Sequence, residues 1–235
     1  MSYSVAVRAL CEFSAKVGDL DLRFTPSPTA QEGMEGHRRV VARRAADYDS
    51  EVALEGQFES LRVRGRADGY DPSCNRLEEI KTYRGDLARQ PANHRQLHWA
   101  QAKVYAWLMC QARQLPAIDV ALVYLDVDSD GQTLISEHHS AAELQAFFET
   151  QCRRFLRWAE HQQQRLAERD RGLQALGFPY AQFRQGQRQL AETLYKAVST
   201  GRCLMAQAST GIGKTLGTLF PLLKAMVPQQ LDKVF

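Results

Sequence analysis

The chain has 235 residues, of which 44% are hydrophobic and 24% are charged, and its formal net charge is +3. This composition is typical of a soluble globular protein. Because no apolar run is long enough to span a membrane and no signal peptide is recognisable, we expect a cytoplasmic protein without a membrane partner. The net charge does not by itself demand a polyanionic partner, and five scattered cysteines lack zinc-finger or iron–sulfur spacing, which favours reduced thiols.

The first segment with a functional pattern is Gly33-Met-Glu-Gly36-His37, which is expected to start a helix. His37 is then able to project toward carboxylates later in the chain. A lone histidine is more often a surface residue than a ligand, so His37 counts only in combination with other residues. Two groups of arginines follow, and they indicate either phosphate contacts or an ordinary solvated face. They are Arg38, Arg39, Arg43 and Arg44, and then Arg62, Arg64 and Arg66.

A β-hairpin is predicted from the strand 58–68 and the return strand 76–82, because both alternate with period two and Gly, Pro and Asn lie between them. Glu79 and Lys81 are two residues apart and so point to one face of the second strand. Asp68, at the end of the first strand, can converge with Glu79. Lys81 is expected to lie beside both carboxylates.

Two carboxylates in a partly buried site repel each other, and a hard divalent cation such as Mg²⁺ or Mn²⁺ relieves that repulsion. Such an ion lowers the pKa of water and polarises a phosphoryl oxygen, while an ammonium group positions water and offsets developing charge. The pattern of Asp68, Glu79 and Lys81 therefore indicates metal-assisted phosphodiester hydrolysis. Since this spacing is common by chance, the motif needs support from elsewhere in the chain.

That support comes from a predicted helix at residues 94–114, on which Gln101 and Tyr105 share one face at positions i and i+4. These two side chains could hold DNA or brace the site itself. Tyr105 and Trp107 could also be plain core aromatics.

Two strands predicted at residues 118–126 and 132–138 complete a mixed α/β core. A long amphipathic helix follows from Ala141 to about Ala175, and we expect it to be a linker. Gly177-Phe-Pro179 marks its end and a domain boundary.

A phosphate-binding loop, Ala208-Ser-Thr-Gly211-Ile-Gly213-Lys214-Thr215, lies near the C-terminal end. Its glycines, Gly211 and Gly213, bring backbone N–H groups to a polyphosphate, Lys214 reaches the terminal phosphates and the Thr215 hydroxyl binds Mg²⁺. A strand at Cys203–Ala206 and a helix carrying Leu216, Leu219, Leu222 and Leu223 provide the strand, loop and helix order that this motif requires.

The segment 178–235, with Phe183-Arg184-Gln185-Gly186-Gln187 ahead of the loop, resembles the start of superfamily 2 helicases of the XPD/DinG type. The resemblance implies that Gln187 contacts adenine, and Ser209 departs from the usual proline. No carboxylate box or second motor domain follows, so we expect weak ATP binding, inefficient hydrolysis and no unwinding by this chain alone. The missing remainder of the motor is then an expected partner.

The order His37, Asp68, Glu79-Ile80-Lys81 and Gln101-x3-Tyr105 resembles the RecB family of PD-(D/E)XK nucleases, over about residues 1–140. The resemblance implies that His37, Asp68, Glu79 and the backbone carbonyl of Ile80 bind the metal. It also implies that Lys81 is catalytic and that Gln101 and Tyr105 support the site and the substrate. Arg66-Ala67 replaces the proline before the aspartate.

We therefore predict an α/β fold in which a PD-(D/E)XK restriction-endonuclease-like core, a mixed sheet flanked by helices, precedes a partial P-loop helicase domain. The predicted domains are a nuclease domain at 1–140, a linker helix at 141–177 and a truncated motor domain at 178–235. The predicted function is a Mg²⁺- or Mn²⁺-dependent deoxyribonuclease, with exonuclease action favoured and DNA that is single-stranded or has single-stranded ends as partner. One alternative is an ATP-dependent helicase fragment whose N-terminal domain grips DNA without cutting. Another is a metal-binding protein unrelated to DNA.

Overall fold

The computed structural model describes residues 2–18 and 27–234. Its internal contacts divide the chain into two compact units, Met1–Trp158 and Ala159–Phe235. The dividing point falls inside the long helix that was expected to link two domains, and the predicted domain limits at 140 and 177 stay predictions. None of the helices in the described part of the chain combines the length and hydropathy needed to cross a bilayer.

The first unit is built from six strands and four helices, within the residues that the structure describes. In chain order they are β1 (Tyr3–Ala6), α1 (Val7–Ser14), α2 (Ala30–Val41), β2 (Asp49–Phe58), β3 (Leu61–Asp71), β4 (Arg76–Tyr83), α3 (Ala92–Arg113), β5 (Ala117–Asp126), β6 (Gln132–Ser140) and α4 (Ala141–Ala175), with a 3₁₀ turn at Leu87–Arg89. The C-terminal part of α4 belongs to the second unit.

The six strands form one mixed sheet in the order β1-β3-β4-β5-β6, with β2 also paired to β3. The β1–β3 and β4–β5 pairs are parallel, and the others are antiparallel. Because a strand has two edges and β2 follows one edge of β3 along nearly its whole length, β1 and β4 share the other edge. β1 occupies the Leu61–Arg64 half of that edge, and β4 occupies Gly69–Asp71.

Helices cover both faces of the sheet, which confirms the predicted α/β class with a mixed, helix-flanked sheet. Alternate residues of β5 show this directly, because Val120, Leu122 and Tyr124 belong to the main core cluster. Val123 and Leu125 instead join a second cluster with residues of α2 and β4. Burial on both faces explains why this strand is a continuous apolar run without strict alternation.

The predicted hairpin is confirmed, but its boundaries were partly wrong. β3 begins at Leu61 and continues to Asp71, whereas the expected strand was 58–68. Phe58 instead ends β2, a strand that the sequence analysis did not identify, and β2 extends the alternation on the N-terminal side. The sequence shows the alternation but not the turn that divides it between two paired strands.

The helix that carries His37 also begins earlier than expected, at Ala30 and not at Gly33. Thr29 caps it, since its hydroxyl accepts the Glu32 N–H while the Glu32 carboxylate accepts the Thr29 N–H. This reciprocal capping box satisfies two N–H groups that would otherwise lack partners, and so sets the start of the helix.

The second unit contains the end of α4 and the helices α5 (Gln187–Ser199) and α6 (Lys214–Met226). Both later helices agree with the amphipathic patterns in the sequence. The strand expected at Cys203–Ala206 was wrong, because this segment has no regular secondary structure and its side chains are exposed, with Met205 fully so. A strand needs a neighbour to satisfy its backbone groups, and in the described chain none lies beside this segment.

Candidate active site

Asp68 lies at an irregularity in β3. The β2–β3 register pairs Val52 with Ala67 and Ser50 with Gly69, so Asp68 lies opposite Glu51, whose φ angle of 54° is in the left-handed region. Ala67 and Tyr70, three residues apart, both enter the main core cluster, which shows that period-two alternation slips between them. An interruption of this kind re-aims the side chain at the slip, and here that side chain is Asp68.

The β3–β4 ladder also ends at this point. The two strands pair only from Asp71–Arg76 to Gly69–Glu78, and β4 then continues alongside β5 without β3. Asp68 bridges the opening, because its Oδ2 atom accepts the Ile80 N–H at 2.7 Å in place of a backbone carbonyl. The site therefore lies in a wedge between two diverging strands.

Glu79 and Lys81 project into the wedge from β4. The Lys81 ammonium donates to Glu79 Oε1 at 2.6 Å. Glu79 is only 3% exposed, whereas Lys81 is half-buried. Pairing with β5 along the whole of β4 holds this strand in place, so the E-x-K spacing presents both side chains on one face as predicted.

Burial and the neighbouring carboxylate dominate the electrostatics of the wedge. Burial, followed by repulsion from Glu79, raises the pKa of Asp68 from 3.8 to about 8. Burial alone would lower the pKa of Lys81, but attraction to Glu79 and Asp68 outweighs it, and the net pKa is raised. Lys81 is thus a firmly held cation beside two acids that are costly to ionise together.

His37 reaches the same wedge from α2. Its Nδ1 atom lies 3.6 Å from Asp68 Oδ1, and a hydrogen bond to the Ile80 backbone favours its charged form. Burial, together with Lys81, nevertheless lowers the pKa of His37, so the imidazole is neutral at neutral pH and able to act as a ligand. Gly36 makes this approach possible, since a Cβ there would overlap the Thr82 methyl group of β4.

Gln101 and Tyr105 both lie on α3, as predicted, and both are buried. Tyr105 packs directly on Gly65 of β3, where any larger residue would collide with its ring. The Arg66 N–H bonds its hydroxyl oxygen, but burial and the charges of Glu79 and Asp68 raise its net pKa. Tyr105 is therefore close to the wedge and also a core residue, so the two interpretations of its role are compatible.

Sequence reasoning missed His98 and Tyr124. The His98 Nδ1 atom lies 3.0 Å from the Tyr124 hydroxyl, and Tyr124 is the registered β5 partner of Lys81. Burial, followed by Lys81, lowers the pKa of His98 to about 3. His98 lies three residues before Gln101, a helical spacing that would have placed it on the same face of α3.

Most of the arginines in the two groups are bound within the protein. Arg44 donates to the buried Glu78 at 2.8 Å, and Tyr48 and Arg76 bond the same carboxylate. Arg39 and Arg43 pair with Asp130, and Arg62 pairs with Glu55. These arginines are held in ion pairs within the protein, and Arg64 and Arg66, like Arg62, are exposed on β3.

The residues around the wedge fit a hard divalent cation. Within residues 2–18 and 27–234, no three His, Cys, Asp or Glu side chains lie together as a preassembled metal group. The donor set is nevertheless suitable, since Asp68, Glu79 and the Ile80 carbonyl offer oxygen and His37 offers a neutral imidazole nitrogen. A cation would also relieve the repulsion that raises the pKa of Asp68.

The phosphate-binding loop of the second unit is bonded to itself. Lys214 donates to the Ala208 and Ser209 carbonyls at 2.6 and 3.0 Å, and Gly211 and Gly213 both have positive φ angles. Thr215 is exposed in the first turn of α6.

Gln187 is buried against this loop. Its amide donates to the Gly213 carbonyl at 2.9 Å and accepts the Arg184 N–H at 3.0 Å. In this arrangement Gln187 braces the loop, and its predicted contact with adenine would require these bonds to rearrange.

No family model matches the chain, and no curated protein matches it. A solved structure titled "Crystal structure of SSO0001" is similar to it, with 20% sequence identity and a TM-score of 0.40. That similarity covers 65% of this chain and 76% of the other. Similarity at this level carries no argument about function.

Proposed function

We propose that the first unit is a nuclease that uses Mg²⁺ or Mn²⁺ to hydrolyse phosphodiester bonds in DNA, within a RecB-like PD-(D/E)XK fold. The observation that carries the proposal is the wedge between β3 and β4, which gathers two acids, a lysine and a histidine from three separate elements. A structural salt bridge needs one acid and one base. A second, strongly perturbed acid beside that pair is typical of a functional site.

Asp68, Glu79, the Ile80 carbonyl and His37 would hold the ion. When bound, the ion supplies a Lewis acid that polarises the phosphate and promotes deprotonation of water. Lys81 would donate from Nζ to a phosphate oxygen and offset charge as it develops, because its side chain is still partly exposed beside both acids. Tyr105 would keep α3 in contact with β3 at Gly65 and so help to hold Asp68 in its position, and the buried Gln101 would support the site from the same face of α3.

End-labelled single-stranded and duplex DNA, incubated with Mn²⁺ or Mg²⁺, tests the proposal. We expect cleavage that EDTA abolishes and that Asp68→Asn and Lys81→Ala each reduce by about 10²-fold or more. Asp71→Asn is a matched control, because this carboxylate lies three residues further along β3 and bonds Ser73 at the hairpin turn. Cleavage that persists in EDTA or in the Asp68 variant would refute the assignment.

For the second unit, we propose the start of an XPD/DinG-like motor that binds ATP weakly. The support is a loop with the phosphate-binding sequence that leads directly into α6, whose N-terminus favours bound anions. An ATP-dependent helicase with a DNA-gripping N-terminal domain is the second candidate function. DNA binding without any metal-dependent cutting would favour that candidate over the nuclease.

A further inference from the structure

A shallow groove of about 470 Å³ lies along the N-terminal half of α3, on the side away from Gln101 and Tyr105. Arg95, Trp99 and Lys103 line it at four-residue spacing, and Gln90 closes it from the preceding loop. The three α3 residues form one stripe in which a half-buried indole lies between two cations. We call this feature the α3 groove.

Two buried atoms of the α3 groove residues have no hydrogen-bond partner among residues 2–18 and 27–234, namely Arg95 Nε and Gln90 Oε1. One is a donor and the other an acceptor, and burying either without a partner is unfavourable. Because neither atom is itself exposed, a ligand that offers an acceptor and a donor satisfies them once these two partly exposed side chains turn toward the groove. Nucleobases and phosphates together provide such groups. The half-buried Trp99 ring packs against the core and has the Lys103 ammonium over it, so a base stacks on this ring when Lys103 turns to a phosphate.

The charges around the α3 groove favour an anionic ligand. Lys103 lies 2.9 Å from Glu137 and 5.5 Å from the Trp99 ring centroid. Glu137 also contacts His139 at 2.9 Å, so this acid is already bound on two sides. Arg95 adds a cation whose bonds among the described residues are to the Leu87 carbonyl and to Tyr124.

The α3 groove is also close to the wedge. Tyr124 bonds Arg95 and is the registered neighbour of Lys81. Because paired strands lie about 4.8 Å apart, the groove begins roughly one strand and one side chain away from Lys81. A short run of unpaired nucleotides spans that distance.

We propose that the α3 groove binds an unpaired nucleotide of the substrate strand next to the phosphate that is cut. This inference rests on the proposed nuclease function. The base stacks on Trp99, the flanking phosphates pair with Arg95 and Lys103, and Gln90 accepts a hydrogen bond from the base. The enzyme therefore selects single strands or frayed ends, because a base held in a duplex stack is not free to reach Trp99.

The test measures binding of fluorescent oligo-dT by anisotropy in EDTA, where no cleavage occurs. We expect Trp99→Leu to weaken binding about 5-fold or more, the lower end of what one stacked base contributes. Lys103→Gln should weaken binding and lower the salt slope by about 0.7. Neither change should alter affinity for a blunt duplex.

Trp158→Leu and Arg157→Gln are matched controls, since both residues are exposed on α4 and outside the groove. Circular dichroism melting checks that the Trp99→Leu variant is folded. If that variant is unfolded, the oligo-dT affinity of Lys103→Gln still tests the inference. Unchanged oligo-dT affinity in the folded groove variants would overturn the inference. An equal loss of affinity for free dTMP and for oligo-dT would also overturn it, because the site would then recognise mononucleotides.

The same variants, assayed with Mn²⁺, separate this inference from the proposed function. If the α3 groove binds a nucleotide of the substrate strand, Trp99→Leu raises KM for single-stranded DNA while kcat at saturation is retained. If no variant or wild-type chain cuts DNA, the nuclease proposal fails, whereas the binding experiment still decides whether the groove takes a strand.

Discussion

Replacing Asp68 with asparagine should stabilise the metal-free protein at pH 8. Asp68 has an ordinary pKa of 3.8 and a folded-state pKa of about 8, because it is buried beside Glu79. An acid whose pKa rises on folding binds its proton more tightly in the folded state. Its contribution to stability is therefore complete below pH 3.8 and is lost progressively as the pH rises through 8.

The size of this effect follows from the pKa change. Each pKa unit corresponds to about 1.4 kcal/mol, so the full change sets an upper limit of roughly 5–6 kcal/mol for the destabilisation between pH 4 and pH 8. That is a large share of a typical unfolding free energy of about 5–15 kcal/mol. Asparagine keeps an oxygen that can accept the Ile80 N–H but carries no charge, so Asp68→Asn should remove most of this pH dependence.

Urea unfolding followed by tryptophan fluorescence in EDTA, from pH 4 to pH 8, measures the difference. All three tryptophans, Trp99, Trp107 and Trp158, lie in the first unit, so the signal reports on the part that contains Asp68.

Asp71→Asn is a control whose effect on stability has the opposite dependence on pH. The Ser73 hydrogen bond lowers the pKa of Asp71, so the stabilisation that ionised Asp71 provides is lost as the pH falls. The reasoning is refuted if Asp68→Asn is no more stable than wild type at pH 8. It is also refuted if the difference does not shrink toward pH 4.

Three further predictions concern metal, packing and nucleotide. Mn²⁺ should raise the melting temperature of wild type at pH 8 but not of Asp68→Asn, with about 2.7 kcal/mol gained at 100 times the Kd; equal shifts in both would contradict the site. Gly36→Ala should cost about 1–3 kcal/mol in urea unfolding, because the new methyl overlaps Thr82. Gly33→Ala on the same helix meets Thr82 only at 3.7 Å and should be neutral or stabilising by up to about 1 kcal/mol, and equal effects would disprove this packing. Calorimetry with ATP should show weak binding that Lys214→Ala abolishes. Tight binding of ATP by this chain would contradict the proposal that the second unit binds ATP weakly.

Local sequence patterns predicted a large part of the regular structure. The period-two alternation and the turn residues predicted the β3–β4 hairpin, and helical spacing predicted α3, α4, α5 and α6. The strand expected at Cys203–Ala206 failed because an apolar run becomes a strand only where another strand is available to pair with it. Two other strands were missed in the sequence. β1 has only four residues, and β2 carries many polar residues on an exposed face, so neither shows a clear alternation of apolar and polar residues.

The sequence alone determined which chemical groups approach each other over short distances. The two-residue spacing of Glu79 and Lys81 places both on one face of a strand in any sheet, and the turn brings Asp68 back toward them. These relations depend only on backbone geometry, which is the same wherever the hairpin lies.

Only the tertiary structure decided the final positions and the pKa values of those groups. The divergence of β3 from β4, the slip at Asp68 and the approach of α2 through Gly36 all depend on contacts between residues far apart in the chain. Burial raises the pKa of Asp68 and lowers the pKa of His98, and no spacing rule contains that information. The α3 groove is likewise visible only after folding, because the loop that carries Gln90 and the strand that carries Tyr124 meet α3 through packing.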